Sequence, residues 1–242
     1  MTGTIVNAVA IVAGTLIGVA FKKGLPKRLE ETLYKMLGLS VFIIGLGGVL
    51  ESMVTVDPAT GGISVGGSLL LLASLVIGGA VGEGLRINDH LDRFGQKIEA
   101  KIGTEGFSKS FISATMIFCV GAMAIIGSLN DGLNGDSNVL FIKSALDFVC
   151  SLVLGGTLGI GAAFSAIPVL IYQGSMTLMA SFISPYISAA LLADICMAGY
   201  AIVMCIGINF LDFTQIKTAN LLPSLLVPIL YHWIMSLPLP IV

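Results

Sequence analysis

The segment "FIKSALDF", residues 141–148, places a lysine and an aspartate four residues apart in an apolar stretch long enough to cross a bilayer. An ionised side chain at the bilayer centre costs at least about 2.5–3.5 kcal/mol, so such a residue indicates a functional site. A spacing of four puts Lys143 and Asp147 on one helical face. Lys143 lies near the outer end and can extend its ammonium to the surface, whereas Asp147 lies deeper. We predict a membrane site in which Asp147 binds a cation or a proton and Lys143 balances the charge of Asp147 or forms an outer gate. A structural ion pair that fixes the helix register is the open alternative.

Other polar residues lie in apolar stretches at similar depths. Asp194 is predicted at a level comparable to that of Asp147, and two facing carboxylates would bind a cation or share a proton. Asn7 and Gln173 offer neutral ligands, and Asn209 lies near the inner end of its segment. Pro168 precedes Gln173 by five residues, and a proline in a membrane helix frees backbone carbonyls that often line ion or solute sites. A lone amide more often bonds across helices, so packing remains the alternative for each.

Residue patterns of enzymes are not found in the sequence. No His, Cys and Glu group has metal-ligand spacing, no glycine-rich phosphate loop follows a strand, and the serines have no positioned base. The two histidines, His90 and His232, are read as surface or interface residues. We therefore expect neither an enzyme nor a metal site, and no cofactor.

The composition indicates an integral membrane protein. Of 242 residues, 56% are hydrophobic and 11% charged, and the mean hydropathy is +1.00, whereas a soluble domain has about 25% charged residues. The four cysteines all lie in apolar stretches without disulfide or metal spacing, as packing residues do. We expect the lipid bilayer as a partner and no nucleic acid.

Apolar stretches of bilayer length predict an all-α polytopic helical bundle that forms a single domain, residues 1–242, with seven spans as the alternative. The predicted eight spans are 2–21, 33–52, 67–85, 109–129, 139–161, 163–183, 188–210 and 219–238. Eleven of the twelve Lys and Arg residues fall on one side in this arrangement, and Lys143 is the exception. Because cytoplasmic loops accumulate positive residues, we predict a bacterial inner-membrane protein with both termini outside. The seven-span alternative applies to the stretch 162–210, where only Asp194 is charged and no positive residue marks a turn.

Two segments of the chain resemble each other. "SLVIGGAVGEG" at 74–84 and "SLVLGGTLGIG" at 151–161 are identical at seven of eleven positions. "GAMAIIGSL" at 121–129 is similar to "GSMTLMASF" at 174–182, and "AIVAGTLIGVAF" in span one is a fainter copy. The pattern predicts parallel, glycine-rich hairpin repeats, although glycine-rich membrane helices also look alike by composition. The small-xxx-small faces of spans one, three and five predict that these three form the packed centre.

Residues 86–103, "RINDHLDRFGQKIEAKIG", separate spans three and four. The apolar residues recur every three or four positions, at 87, 91, 94, 98 and 102. This spacing predicts an amphipathic helix at the cytoplasmic interface. A role in docking a partner is one interpretation, and a surface helix that anchors the hairpin is the simpler one.

Several longer motifs resemble one known family. They are "GTIVNAVAIVAGTLIG" at 3–18, "GGAVGEGLRINDHLDRFG" at 78–95, "GAMAIIGSLNDGLNGD" at 121–136, "KSALDF" at 143–148, "GIGAAFSAIPVLIYQG" at 159–174 and "GINFLDFTQIKTANLLPSLL" at 207–226. In order and extent they resemble an uncharacterised bacterial integral-membrane family, a domain of unknown function that includes the YqgA and YdfK proteins. The resemblance implies an inner-membrane protein and brings no substrate. It points to Asn7, Lys143, Ser144, Asp147, Gln173, Asn209, Asn220 and Pro223.

These observations predict a membrane transporter or channel for a small solute or ion, with proton or cation coupling as one form. The predicted site comprises Lys143, Ser144, Asp147, Gln173, Asp194, Asn7 and Asn209. The alternative is a non-transporting membrane scaffold or signalling subunit that acts through the helix 86–103. A homo-oligomer is compatible with either. Substrate, coupling ion and direction of flux do not follow from the sequence.

Overall fold

A computed structural model describes residues 1–22, 27–56, 61–102, 106–119 and 122–236. The end residues 103 and 237–238 of two predicted segments lie outside these ranges. The main chain is almost entirely helical. The helices are α1 (Thr2–Lys22), α2 (Lys27–Met53), α3 (Ser68–Gly84), α4 (Ile87–Ile102), α5 (Phe107–Cys119), α6 (Ala122–Asn134), α7 (Asn138–Leu158), α8 (Gly161–Phe164), α9 (Ala166–Leu178), α10 (Ala180–Ile183), α11 (Ala189–Phe210) and α12 (Leu226–Ser236), with the 3₁₀ helices η1 (Ser184–Tyr186) and η2 (Thr218–Leu225).

The apolar helices are arranged as the predicted bundle. Five stretches are each long and apolar enough to cross a membrane, namely α1, residues 34–53 of α2, α7, α11, and η2 with α12. Three bent pairs supply one further span each when the pair is counted together. The α3–α4 pair is bent by 52°, the α5–α6 pair by 60°, and the pair formed by residues 161–178 and 180–186 by 59°. The described helices thus supply five to eight candidate spans, and the upper number equals the eight of the sequence prediction. In that count the third span includes the first part of α4, which the sequence had assigned to an interfacial helix.

A short β-hairpin follows α2 and was not expected from the sequence. Strands β1 (Val54–Val56) and β2 (Ile63–Val65) pair antiparallel, with Val54 opposite Val65. The expectation of a chain without strands is therefore wrong here, because β-branched residues at the end of a span can pair once the chain turns back. Gly67, at φ 81°, then starts α3 in a conformation that glycine adopts without strain.

Helices α1 and α7 lie parallel and approach closely through small residues. A Cβ added at Gly14 would overlap the backbone oxygen of Phe148, and one at Gly155 would overlap that of Thr15. Contacts advance in the same direction along both helices, from Gly3 beside Leu140 to Gly14 beside Ser151. Backbone contact of this kind replaces the hydrophobic force that lipid removes.

The other two close pairs are antiparallel. Gly45 and Gly48 of α2 pack on Tyr200 of α11, and Gly78 and Gly82 of α3 pack on η2. The predicted centre of spans one, three and five is thus correct only for spans one and five. The two most similar sequence segments have different partners, α1 for the segment in α7 and η2 for the segment in α3, so the likeness does not extend to packing.

The bundle carries apolar side chains outside and polar ones inside. Leu69, Ile171 and Phe182 are among the large apolar residues exposed on its surface, where they contact the lipid bilayer. Thr4, Asn7, Ser151 and Gln173 are fully buried. Polar contacts between helices therefore add to the helix packing that the backbone contacts at glycine provide.

The helix directions define two faces. The terminal face holds the starts of α1, α7 and α11 and the end of α6, where the Met1 amino group lies 2.8 Å from Oδ2 of Asp131. The opposite, basic face holds α4, the start of α5 and the turn between α11 and η2. On α4, Ile87 and Leu91 pack against the core of the bundle. Asn88 and Asp92 bond to η2 and α5, so α4 is joined to the bundle on two sides.

Candidate functional site

The charged pair of "KSALDF" forms an ion pair inside the bundle. The Lys143 Nζ donates to both oxygens of Asp147, at 3.0 Å to Oδ1 and 2.7 Å to Oδ2. Each residue is only 6% exposed. Asp147 is nine residues into α7, or about 14 Å at the helical rise. Lys143 thus points inward to Asp147 instead of extending to the surface, and its ammonium group neutralises the buried carboxylate.

Two amides face this pair from neighbouring helices. Asn7 of α1 lies close enough to Asp147 to stabilise its negative charge. The Asn7 Nδ2 also donates to Oε1 of Gln173 on α9, at 3.3 Å. Both amides are completely buried. The structure thus brings together Asn7, Lys143, Asp147 and Gln173, four of the seven predicted site residues. We call these four the amide–ion cluster.

Ser144 lies beside the cluster but bonds within its own helix. Its hydroxyl donates to the Leu140 carbonyl at 2.6 Å, and Ser151 donates to the carbonyl of Asp147 in the same way. Serines that bond to the preceding turn are common in membrane helices. Its observed contact is therefore a helix contact, and any role in binding remains a prediction.

Asp194 does not meet Asp147. Its Oδ2 lies 2.7 Å from Nε2 of His232 on α12, and the two side chains are 20% and 27% exposed. Asp194 also lines a cleft with Gly67 and Tyr231 at the terminal face. The two carboxylates thus have different partners, so the predicted shared-proton site between them is not formed. Depth alone does not determine which face of a helix a residue occupies.

Asn209 and Asn220 organise the basic face. Asn209 exchanges two hydrogen bonds with the backbone of Ile216, at 2.8 and 2.7 Å, and so closes the turn after α11. Asn220 accepts from the backbone N–H of Asn88 and donates to Glu83. Glu83 thus bonds to η2. These amides hold helix ends together, away from the amide–ion cluster.

Lys217 adds a charge contact at the same face. Its Nζ lies 3.1 Å from Oε1 of Glu83 and 4.0 Å from Oδ1 of Asp89. The hydrogen bond to Glu83 raises the pKa of Lys217. Because the pair is exposed, water and salt weaken it, and it contributes little beyond orientation.

Three neighbouring cavities lie between α5, α9, α11 and the η2–α12 segment. The central cavity has a volume of about 390 Å³ and includes Thr115 and Cys119 of α5 in a mainly apolar lining. The outer cavity, of about 730 Å³, extends to His232 and Trp233 at the terminal face. The polar inner cavity, of about 270 Å³, lies at the basic face. The central and outer cavities share Ile125, Tyr172, Ile195 and Leu225. The central and inner cavities share Ile112.

The amide–ion cluster lies beside this row of cavities without lining it. Cys119 lines the central cavity and is within electrostatic reach of both Lys143 and Asp147. On α9, Tyr172 lines the cavity, whereas the next residue, Gln173, bonds to Asn7. Two consecutive residues of α9 thus contact the cavity and the amide–ion cluster, respectively.

Sequence analysis missed most residues that line the central and outer cavities, because they are ordinary apolar and aromatic side chains. It did single out Pro168, Asn209 and His232, which line the central, inner and outer cavities, respectively. It assigned His232 to an aromatic interface, although the ring bonds to Asp194. Thr4 and Thr177 were also missed, and their hydroxyls lie 3.4 Å apart in the core. Hydroxyls in a glycine-rich span carry no distinctive signal until their partner helix is known. Within the part of the chain that the structure describes, no group of three or more His, Cys, Asp or Glu side chains could hold a metal ion.

The fold and its buried polar site define a polytopic helical membrane protein. The family model for proteins of unknown function DUF554 matches residues 2–233, and the chain belongs to this family. It is 31% identical over 228 residues to the uncharacterized membrane protein YdfK of Bacillus subtilis (strain 168), covering 94% of each chain. It is 27% identical over 224 residues to the uncharacterized protein YqgA of Escherichia coli (strain K12), covering 93% of each. No solved structure matches the chain.

Proposed function

We propose that this protein is a membrane transporter or channel for a small solute or ion, and not an enzyme. The proposal rests on the row of three cavities between the two faces, in which each cavity shares at least one lining residue with the next. A solute would move from the outer cavity past Tyr172 and Ile195 into the central cavity. It would then pass Ile112 into the polar inner cavity.

The elements around the cavities support this proposal. The α5–α6 pair and the α9–α10 region are bent by about 60°, and η2 is a 3₁₀ helix that contains Pro223. Interrupted helices expose backbone groups that a membrane tolerates where they are buried in protein or line a cavity. Discontinuous helices of this kind surround the substrate sites of many transporters.

The lining of the central cavity favours one class of solute. Thr115 and Tyr172 contribute the hydroxyls of an otherwise apolar surface. A bare ion would lose its hydration there without replacement, at a cost of several kcal/mol. The transported species is then an uncharged or amphipathic molecule, and an ion would act through the amide–ion cluster behind Cys119.

The contacts of α4 speak against the scaffold alternative. A docking helix needs a free apolar face, yet Ile87 and Leu91, two of the five apolar positions of α4, are partly buried against the core. Asn88 and Asp92 bond to Asn220 and Ser108. We interpret α4 as a part of the bundle that closes the inner cavity, which Asn88 and Asp92 line.

The membrane placement follows from the charge pattern. The basic face would be cytoplasmic and the terminal face periplasmic or extracellular, in a bacterial inner membrane. Homo-oligomerisation and the origin of the fold by hairpin duplication remain predictions from the sequence.

The test is flux into liposomes that contain the purified protein. Protons, alkali cations and a panel of small neutral solutes would each be followed in wild type and in Ile195→Trp. The larger side chain should block the junction of the central and outer cavities and reduce flux of the transported species. Ile171→Trp is the matched control, because Ile171 is 66% exposed on the outside of α9. If no species crosses faster than in empty liposomes, transport is contradicted. If Ile195→Trp conducts like wild type, the route is wrong.

A further inference from the structure

A column of buried polar side chains leads from the terminal face to Asp147. At the face, Ser137 donates to Oδ1 of Asp131 at 2.8 Å, and both residues are buried. One turn deeper, the hydroxyls of Thr4 and Thr177 lie 3.4 Å apart between α1 and α9. The next level is the amide–ion cluster. Because α1 and α9 run in opposite directions, their polar residues meet in successive pairs.

The amide level of the column has unused hydrogen-bonding capacity. Asn7 Oδ1 and Gln173 Nε2 have no hydrogen-bond partner among the described residues, although both side chains are completely buried. Exchanging the amide O and N assignments of both residues would still leave one donor and one acceptor unused. An unpaired donor and an unpaired acceptor match the chemistry of a molecule that can both accept and donate, such as water. The site thus suits water, or a proton carried by water, beside the Asp147 carboxylate.

The column changes character below Asp147, towards the basic face. There α1 and α7 meet through backbone, as at Gly18 against Leu152. The hydroxyls of Thr15 and Ser151 donate to carbonyls of their own helices. Polar side chains that bridge the helices therefore lead to Asp147 from the terminal side.

We propose that Asp147 is a proton-exchange site supplied from the terminal face through Asp131, Thr4, Thr177 and the Asn7–Gln173 pair. This inference rests on the proposed function only in making the proton the coupling ion. Lys143 already occupies the position that an alkali cation would need, because it donates to both carboxylate oxygens. A proton requires no such space.

The chemistry of the step is a simple proton transfer. A proton from water at the terminal face binds one Asp147 oxygen, and Lys143 keeps its three protons. The buried pair changes from net neutral to a charge of +1, which the interior disfavours unless the surroundings rearrange. This charge change would couple the cluster to the neighbouring cavity at Cys119.

Other titratable groups near Asp147 are few in the described structure. Cys150 lies on the same helix and Cys119 on α5, both within electrostatic reach. On α6 the charged group is Asp131, at the face beside the Met1 amino group. Near Asp147, helix α1 places the uncharged Asn7, and α8, with the sequence GAAF, has no titratable side chain. The charged residues of α2 lie towards the two ends of that helix. Asp147 is thus the carboxylate available at this depth of α7.

The test is infrared spectroscopy of the protein in lipid vesicles after a rapid drop in pH. The carbonyl band of a protonated carboxylic acid should appear in wild type and be absent in Asp147→Asn. In Thr4→Val/Thr177→Val the same band should appear about tenfold more slowly, which corresponds to about one lost hydrogen bond in the transfer path. Thr4→Ser/Thr177→Ser, which keeps the hydroxyls, should recover the wild-type rate. Thr15→Val is the matched control on α1, because its hydroxyl bonds to its own helix.

Two results would overturn the inference. One is the absence of any Asp147-dependent band at every pH at which the protein stays folded. The other is a wild-type rate in the double valine variant. If that variant does not fold, Thr177→Val alone provides the same comparison. The infrared measurement needs no transported substrate. Its result therefore does not depend on whether the liposome assay detects transport.

Discussion

Replacing Lys143 or Asp147 tests whether the buried ion pair acts as one unit. Each residue is 6% exposed, and the ammonium lies 3.0 and 2.7 Å from the two carboxylate oxygens. Lys143→Met or Asp147→Asn strands the other group in the bundle, where removal of one partner of a buried pair costs about 3–5 kcal/mol. The stranded group can change its protonation, so we expect the lower end, about 3 kcal/mol, for each variant.

The double variant Lys143→Met/Asp147→Asn supplies the deciding value. It leaves no unpaired charge, so we expect it to cost no more than either single variant, which gives a coupling energy of at least about 3 kcal/mol. The assay is unfolding of the micellar protein by a denaturing detergent, followed by far-ultraviolet circular dichroism. Lys217→Met is the control, because the Lys217–Glu83 pair is exposed and should give no resolvable change. If the losses of the two single variants add up in the double variant, or if the single variants are as stable as wild type, Lys143 and Asp147 do not act as one unit.

Two further predictions concern helix packing and the second carboxylate. A Cβ at Gly82 would stand within van der Waals overlap of the Asn220 backbone, so Gly82→Ala should destabilise the bundle by about 1–3 kcal/mol in the detergent assay. Gly84→Ala should have no such effect, because no described atom lies within 4 Å of its Cβ position; equal losses at both sites would contradict the packing argument. His232→Gln should lower stability by no more than about 1 kcal/mol, since its pair with Asp194 is partly exposed. A larger loss would show that this pair is a core contact.

The architecture could be predicted because the bilayer constrains it. Uninterrupted apolar stretches of about 20 residues can satisfy their backbone only as helices, so the positions of α1, α7 and α11 follow from hydropathy. The bends were less visible. The α5–α6 stretch reads as one span in hydropathy because both halves are apolar, and the bend depends on how each half packs.

The site could be predicted only in part, because residue type shows what is costly but not what it contacts. Lys143 and Asp147 were found because charges in an apolar stretch are expensive. Asn7 and Gln173 were found for a similar reason, and their pairing needed the antiparallel packing of α1 on α9. Asp194 has the same chemistry as Asp147, yet its position on α11 directs it to α12. Helix rotation, which hydropathy does not report, decides between these outcomes.

Thiol labelling can show whether a solvent-accessible route passes through the central cavity. Cys119 lines that cavity, whereas Cys150 of α7 is not part of the lining of any of the three cavities. Two proteins would be compared in vesicles, each retaining one of these cysteines, with a small uncharged thiol reagent that is too polar to cross membranes. We expect Cys119 to react much faster than Cys150, and we expect Ile195→Trp to slow the labelling of Cys119 from the terminal face. Labelling of Cys119 no faster than that of Cys150, from either face, would contradict the route.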